Sequence, residues 1–194
     1  MSYSKKQRMA YVVVLLCVAL AAMCRHIPKT TDIESIILDQ SRTCLYLGLY
    51  TAWGIYLQKR VVNPKIRRCL VEIACLMVFW IFLRSIKYHI MTEILSLRTC
   101  WYLYYIPCMM IPTLGLNAAI LMGEEEEKNT KKRTAALVIP AILFVVAVLT
   151  NDFHQLVFSF SAGEVWTDKG YSYAWGYYIV LLWDVIYAES AFVL

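Results

Sequence analysis

Glycine and histidine are scarce in this sequence, and the patterns that hold phosphates or metals are absent. Its seven glycines form neither of the phosphate-binding loops G-x-x-x-x-G-K-[ST] and G-x-G-x-x-G. The three histidines do not pair at metal-ligand spacing, no two cysteines are spaced C-x-x-C, and no G-x-S-x-G nucleophile motif occurs. The sequence therefore predicts no catalytic, cofactor-binding or metal site, and we expect that the chain is not an enzyme.

The seven cysteines are an odd number and lie in or beside apolar stretches. Structural zinc sites and disulfide frameworks need paired cysteines at regular spacing, which this sequence does not have. The pattern favours cysteine as a small buried apolar residue. One external pairing, between Cys24 and Cys100, stays open.

Long polar stretches are also lacking, since 60% of the residues are hydrophobic and the mean hydropathy is +0.56. Soluble domains are about 45–50% apolar, and blocks of roughly 16–22 apolar residues are typical of membrane-spanning helices. The sequence therefore predicts an all-α, polytopic transmembrane helix bundle with the lipid bilayer as its first partner. The net charge of +5 lies in the gaps between blocks, so we expect no nucleic-acid partner.

Six apolar blocks predict about six spans. The first follows a basic tail, which favours an uncleaved signal-anchor over a cleaved signal peptide. A polar connection over 25–42 contains isoleucines spaced as in a short surface helix, so residues 1–42 are assigned to a signal-anchor helix with an external connection, and 43–194 to the main membrane region. The predicted spans are 9–24, 43–58, 69–90, 99–122, 135–150 and 174–194.

The lysines and arginines are divided unevenly between alternate polar stretches. Twelve lie in the N-terminal tail and in the stretches after the second and fourth blocks, against seven elsewhere, including Arg84 and Lys87 near the outer end of the third block. Positively charged loops face the cytoplasm in multi-pass proteins. We therefore predict a cell-membrane protein whose N-terminus and residues 59–68 and 123–134 are cytoplasmic, with 151–172 external.

Charged residues inside the predicted spans are candidates for a functional pair. A charge in the bilayer costs about 2.5–3.5 kcal/mol, so such residues pair with each other or face a cavity. An ion pair between Arg84 and Asp184 is one solution, and the alternative is that Arg84 and Lys87 extend outward to the headgroups. Glu72 lies four residues after Arg68, which predicts an ion pair on one helix face.

The polar stretch after the fifth block is the candidate signal-receiving site. Polar and aromatic groups there are the usual components of a small-molecule site, and a protonatable histidine offers a pH-dependent response. The alternative is that these groups cap the end of the fifth span. Residues 156–173 further predict a hairpin with its turn near Asp168. The candidate site residues are Asn151, Asp152, His154 and Trp166.

Four sequence motifs resemble the histidine kinase N-terminal seven-transmembrane region. They are Leu45 to Gly54, the basic run 59–68, Trp101 to Pro107 and, most specifically, Leu149 to His154. The resemblance covers roughly 43–194, with the first span as an extra helix. It implies a bacterial sensor module for a small-molecule or envelope signal, which acts on a cytoplasmic output domain or a partner kinase.

The departures from that family leave other functions open. Two of the seven helices and the kinase motifs have no counterpart, and no basic residue follows the last block, so we expect a fragment of a longer protein or a truncated gene product. A small transporter-like protein is an alternative, because prolines interrupt the fourth block, although no inverted repeat is visible. An accessory membrane protein is the other alternative.

Overall fold

The computed structural model describes residues 12–23, 32–89, 94–123, 130–160 and 170–193, which are almost entirely helical. One small antiparallel sheet interrupts the helices. In chain order the elements are α1 (Val12–Met23), α2 (Asp32–Arg60), α3 (Pro64–His89), α4 (Ile94–Leu103), α5 (Tyr105–Gly123), α6 (Thr130–Leu149), α7 (Asn151–His154), β1 (Phe158–Phe160), β2 (Tyr171–Tyr173) and α8 (Trp175–Val193).

Four helical stretches among the described residues are long and apolar enough to cross a membrane. With the shorter apolar helix α1, they confirm the predicted all-α, polytopic helical bundle. The predicted second span lies in α2 and is not one of the four. The four stretches are Pro64–Tyr88, Leu97–Gly123, Lys132–Leu149 and Trp175–Val193.

The helix α2 is one continuous helix of 29 residues. The sequence predicted a surface helix within 25–42 and a separate span over 43–58, but the described part of that connection joins the span without interruption. One contact crosses the expected boundary, since the Thr43 hydroxyl donates to the Asp39 carbonyl at 2.9 Å. Just before the boundary, Arg42 pairs with Asp39 at 3.0 Å. These contacts are one helical turn long, so they favour a helix that continues.

A turn at Tyr104 separates α4 from α5, within the predicted fourth span. Pro107 has no N–H to donate to the carbonyl of Leu103, four residues earlier, and its ring crowds that carbonyl. The helix therefore ends at Leu103 and begins again at Tyr105. Pro112 lies inside α5, which continues past it. The two prolines of this span therefore have different effects. Pro107 removes a hydrogen bond and breaks the helix at Tyr104, whereas the helix continues past Pro112.

The central helix of the bundle is α5, which packs against α3, α6 and α8, while α2 packs against α3. Small residues allow two of these approaches. A Cβ atom at Gly54 would lie 3.2 Å from Ala74 Cβ between α2 and α3, and one at Gly115 would lie 3.9 Å from Ala191 Cβ between α5 and α8. The buried side chains Met109, Ala141 and Val180 fill the space between α5, α6 and α8.

The predicted hairpin is confirmed in its two strands. Phe158 pairs with Tyr173 and Phe160 with Tyr171 in an antiparallel register. The expected turn near Asp168 lies outside the described residues. We call the end of the bundle formed by α7, β1 and β2 the hairpin end, and the end where residues 61–63 join α2 to α3 the opposite end.

Candidate functional site

A completely buried asparagine organises the hairpin end. The Asn151 Oδ1 atom accepts the backbone N–H groups of Val157 and Phe158, both at 3.0 Å. Its Nδ2 group donates to the Phe158 carbonyl at 2.9 Å and to the Tyr102 hydroxyl oxygen at 3.3 Å. The Asn151 carbonyl accepts the N–H of Gln155, a residue with φ of 49°. One side chain thus closes the loop between α7 and β1 and fastens it to α4.

Aromatic rings from α4, α5, the hairpin and α8 pack around Phe158, which is fully buried. The Trp101 ring lies 4.4 Å from the Phe158 ring and 4.7 Å from the Tyr171 ring, measured between centroids. Tyr105 and Tyr177 contact Phe158 at 5.6 and 5.8 Å. Buried aromatic side chains contribute large apolar areas, so this cluster holds the hairpin against the helices.

A short hydrogen-bonded chain connects Asn151 to a charged pair. The Tyr102 hydroxyl donates to Asp152 Oδ1 at 2.7 Å, and Arg98 forms an ion pair with Asp152 Oδ2 at 2.8 Å. The side chains of Arg98 and Asp152 are 24% and 36% exposed, so water reaches the pair. The guanidinium also lies 5.4 Å above the Phe160 ring. Sequence reasoning counted Arg98 only as a loop charge, because nothing local relates it to Asp152.

The imidazole of His154 completes the turn beyond α6. Its Nδ1 atom accepts the backbone N–H of Leu156 at 3.0 Å, and Nε2 lies 3.3 Å from the Thr150 hydroxyl oxygen. That hydroxyl donates its own proton to the Val146 carbonyl at 2.7 Å, so Nε2 carries the ring proton and donates to Thr150. Protonation of Nδ1 would remove the acceptor for the Leu156 N–H group.

Three of the four predicted receiving residues therefore lie together in α7. Asn151 is buried and its side chain holds the loop after α7, rather than the end of α6, whereas Asp152 is exposed and His154 is half-buried. The predicted fourth residue, Trp166, lies outside the described residues. Phe153, between the two polar residues, is 91% exposed and adds an apolar group to this surface. The receiving role itself stays a prediction.

The structure does not bring Arg84 and Asp184 together. Arg84 lies beside α2, at a groove lined by Asp39 and Arg42, whereas Asp184 lies on α8, which packs against α5. The Asp184 Oδ1 atom is buried and has no hydrogen-bond partner among the described residues. Lys87 does not extend outward as proposed, because it is buried and its Nζ lies 5.9 Å from the Tyr104 ring centroid.

A second buried asparagine lies near the opposite end. The Asn117 Nδ2 group of α5 donates to Cys69 Sγ of α3 at 3.3 Å, and Asn117 Oδ1 accepts from the Thr134 hydroxyl of α6 at 3.1 Å. The predicted pair between Arg68 and Glu72 is also present, with Nε and Oε1 2.9 Å apart. This end therefore joins three helices through side chains alone.

The described part of the chain contains no candidate metal site. No group of three or more His, Cys, Asp or Glu side chains there could hold a metal ion. Cys100 is buried with a free thiol, and its proposed partner, Cys24, lies outside the described residues. The hairpin end presents one charged pair and one exposed aromatic ring, and these groups can bind a ligand.

Comparison with known proteins relates the chain to a family of membrane regions. A family model described as the N-terminal 7TM region of histidine kinase matches residues 40–193. The matched range begins within α2 and includes every element of the hairpin end. No curated protein and no solved structure matches the chain.

Proposed function

We propose, from the premise that this chain belongs to the family of N-terminal 7TM regions of histidine kinase, that it is a signal-input module whose receiving surface is the hairpin end. The family and the apolar helices make it a multi-pass membrane module of the sensor type. The observation that carries the proposal is the half-exposed ion pair of Asp152 with Arg98, linked through Tyr102 to buried Asn151.

The charge bias supports an orientation with the hairpin end outside the cell. Lys65, Arg67 and Arg68 lie in the first turns of α3 at the opposite end, and basic residues near helix ends favour the cytoplasmic side. The hairpin end would then meet an envelope component or an extracellular small molecule. Labelling with an impermeant thiol reagent in a cysteine-free background tests this orientation. Labelling of the variant Lys65→Cys in intact cells would show that the map is inverted.

The receiving surface connects directly to the helices that cross the bundle. Arg98 and Tyr102 belong to α4, which continues through the break at Tyr104 into the central helix α5. On the other side, β2 leads into α8, and the N–H of Gly176 donates to the Leu156 carbonyl at 3.0 Å. A ligand that binds Asp152 would compete with Arg98 and Tyr102. It would therefore change the contacts of α4, which leads into α5, and of the hairpin, which leads into α8.

The module carries no catalytic domain in this proposal, and its output belongs to a cytoplasmic kinase region, joined to it or separate. Because α5 contacts α3, α6 and α8, a shift of α5 would change the arrangement of several helices at the opposite end. A ligand can shift such an equilibrium only by its difference in affinity for the two states. A ligand that must break the ion pair between Asp152 and Arg98 has such a difference in affinity.

A chimera tests the proposal. The chain is joined at its C-terminal end to the dimerisation and catalytic region of a histidine kinase, and autophosphorylation is measured in membrane vesicles. The substitution Asp152→Asn keeps the side-chain shape but releases Arg98, so basal autophosphorylation should change by about five-fold or more, the lower range of allosteric coupling. Val62→Ser is the matched control, since Val62 is 91% exposed and lies at the opposite end.

Two measurements make the result decisive. Protein levels in the membrane must be equal for both variants, so that misfolding is separated from signalling. Insertion of one helical turn before the catalytic region shows whether the chimera responds to the membrane module at all. If that insertion changes autophosphorylation while Asp152→Asn does not, the hairpin end is not the receiving surface.

A further inference from the structure

A groove between α2 and α3 forms a second polar site, separate from the hairpin surface. It encloses about 350 Å³ and is lined by Asp39, Arg42, Arg84, Ser85 and Tyr88, among others. Arg42 is held by its ion pair with Asp39 at 3.0 Å. Arg84 makes no hydrogen bond or ion pair with the residues that the structure describes, and it is exposed. The Arg42 guanidinium is therefore held in place, and the Arg84 guanidinium is available to bind a ligand.

The position of Arg84 along α3 places it near the edge of the bilayer. It follows Arg68 by sixteen residues, which is roughly 24 Å at 1.5 Å per residue. The hydrocarbon core is about 30 Å thick, so basic residues at the start of α3 and Arg84 cannot both lie deep within it. When Arg68 lies at one interface, the Arg84 side chain reaches the phosphate level of the other leaflet.

The charges of the groove suit a singly charged anion. Arg42 and Arg84 carry two positive charges and Asp39 one negative charge, which leaves the lining with one uncompensated positive charge. A further cation lies behind it, since Lys87 Nζ is 5.3 Å from the ring centroid of Tyr88. The exposed Arg84 guanidinium is free to bind an anion at the membrane edge, and a phosphate oxygen pair matches its planar fork.

We infer that the groove between α2 and α3 binds a phosphate group, carried by a phospholipid headgroup or by a free phosphorylated ligand. Arg84 binds two phosphate oxygens through its fork, and the hydroxyl groups of Ser85 and Tyr88 donate to the same group. Arg42, oriented by Asp39, contributes its charge from the α2 side. The inference does not depend on signal reception at the hairpin end, because it uses different residues.

Binding can be measured by thermal unfolding of the purified chain in detergent free of phospholipid. A ligand that binds the folded state raises the unfolding midpoint, and the rise grows with the ratio of ligand concentration to the dissociation constant. Short-chain phosphatidylglycerol is compared with a diacylglycerol of the same chain length, which lacks the phosphate, and with inorganic phosphate. We expect phosphatidylglycerol to raise the midpoint and diacylglycerol to leave it unchanged.

The variant Arg84→Gln should weaken phosphatidylglycerol binding by about ten-fold or more, since a charge-assisted pair of hydrogen bonds is lost. Arg68→Gln is the matched control, because it removes an equal charge from the other end of α3. Arg84→Lys keeps the charge but lacks the planar fork. If Arg84→Gln does not fold, Arg84→Lys tests the inference instead, and it should bind phosphatidylglycerol more weakly than the parent protein does.

The two sources of phosphate give different results. If inorganic phosphate gives the same Arg84-dependent rise as phosphatidylglycerol, the ligand is a free phosphorylated molecule. If only phosphatidylglycerol gives it, the ligand is a lipid headgroup. Equal stabilisation by diacylglycerol, or equal binding to the Arg84 variants and the parent, would overturn the inference.

Discussion

The two ends of the bundle each contain a buried asparagine, and the two side chains are used differently. Asn151 at the hairpin end bonds mainly to backbone groups within one loop, at Val157 and Phe158. Asn117 near the opposite end bonds to a thiol on α3 and a hydroxyl on α6. The first asparagine fixes the shape of a segment, and the second fixes the spacing of helices.

This difference has a consequence for how the module can move. Backbone groups have few alternative partners once they are buried, so the loop around Asn151 keeps one shape. Side-chain hydroxyl and thiol groups rotate and exchange partners at low cost, and hydrogen bonds between transmembrane helices average about 0.6 kcal/mol. The hairpin end is therefore suited to hold a receiving surface in place, and the opposite end is suited to rearrange.

The substitution Asn151→Ala should have the largest effect of the changes considered for these two ends. It leaves two buried N–H groups and one buried carbonyl, at Val157 and Phe158, without their partner. An unsatisfied buried group costs about 1–3 kcal/mol, so the free energy of unfolding should fall by about 3 kcal/mol or more. Unfolding of the purified chain in detergent, monitored by circular dichroism, measures the loss.

A control for that substitution is available one residue away. Phe153→Ala removes a larger side chain from the same short helix, but Phe153 is 91% exposed and should cost little. If Asn151→Ala and Phe153→Ala reduce the free energy of unfolding equally, the loop does not depend on Asn151. The contrast between the two asparagines would then be wrong.

Gly176→Ala is expected to have the next largest effect. A Cβ atom at this position would lie 2.6 Å from the carbonyl oxygen of Leu156, which belongs to the backbone and cannot rotate away. The start of α8 would have to move from the loop, at a cost of roughly 1–3 kcal/mol. Gly48→Ala is the matched control, since nothing lies within 4 Å of its added Cβ and alanine favours the helix.

The measurement is again the free energy of unfolding, compared between the two alanine variants. A stability loss only at Gly176 would show that close backbone contact holds α8 against the loop. Equal stability of both variants would mean that α8 and the loop are separated in solution, and the hairpin end would then be less rigid than its hydrogen bonds indicate.

Local features of the sequence predicted much of this structure. The spacing of Arg68 and Glu72 predicted their ion pair, and the turn residues near Asp168 predicted a hairpin whose two strands are present. Four long apolar stretches follow from the length and hydropathy of the blocks. In each case the information lies within a few residues of the feature, or within the length of one helix.

Contacts between distant segments could not be predicted in the same way. Position along the helices allowed a pair between Arg84 and Asp184, but it does not say which face of its helix each residue occupies. Because α5 packs against both α3 and α8, the two charges belong to different neighbourhoods. Arg98 was missed as the partner of Asp152 for the same reason, since only the packing of α4 against α6 and α7 brings these residues together.

Asn117→Ala should have the smallest effect, and it sharpens the contrast between the two ends. The thiol of Cys69 and the hydroxyl of Thr134 lose their shared partner, but no backbone group does, so the free energy of unfolding should fall by only about 1 kcal/mol. Its effect on signalling should be as large as its effect on stability. In the kinase chimera, a looser joint between α3, α5 and α6 should shift basal autophosphorylation by about five-fold. A loss of 3 kcal/mol, or unchanged autophosphorylation at normal membrane levels, would mean that the opposite end is as rigid as the hairpin end, and transmission would need another route.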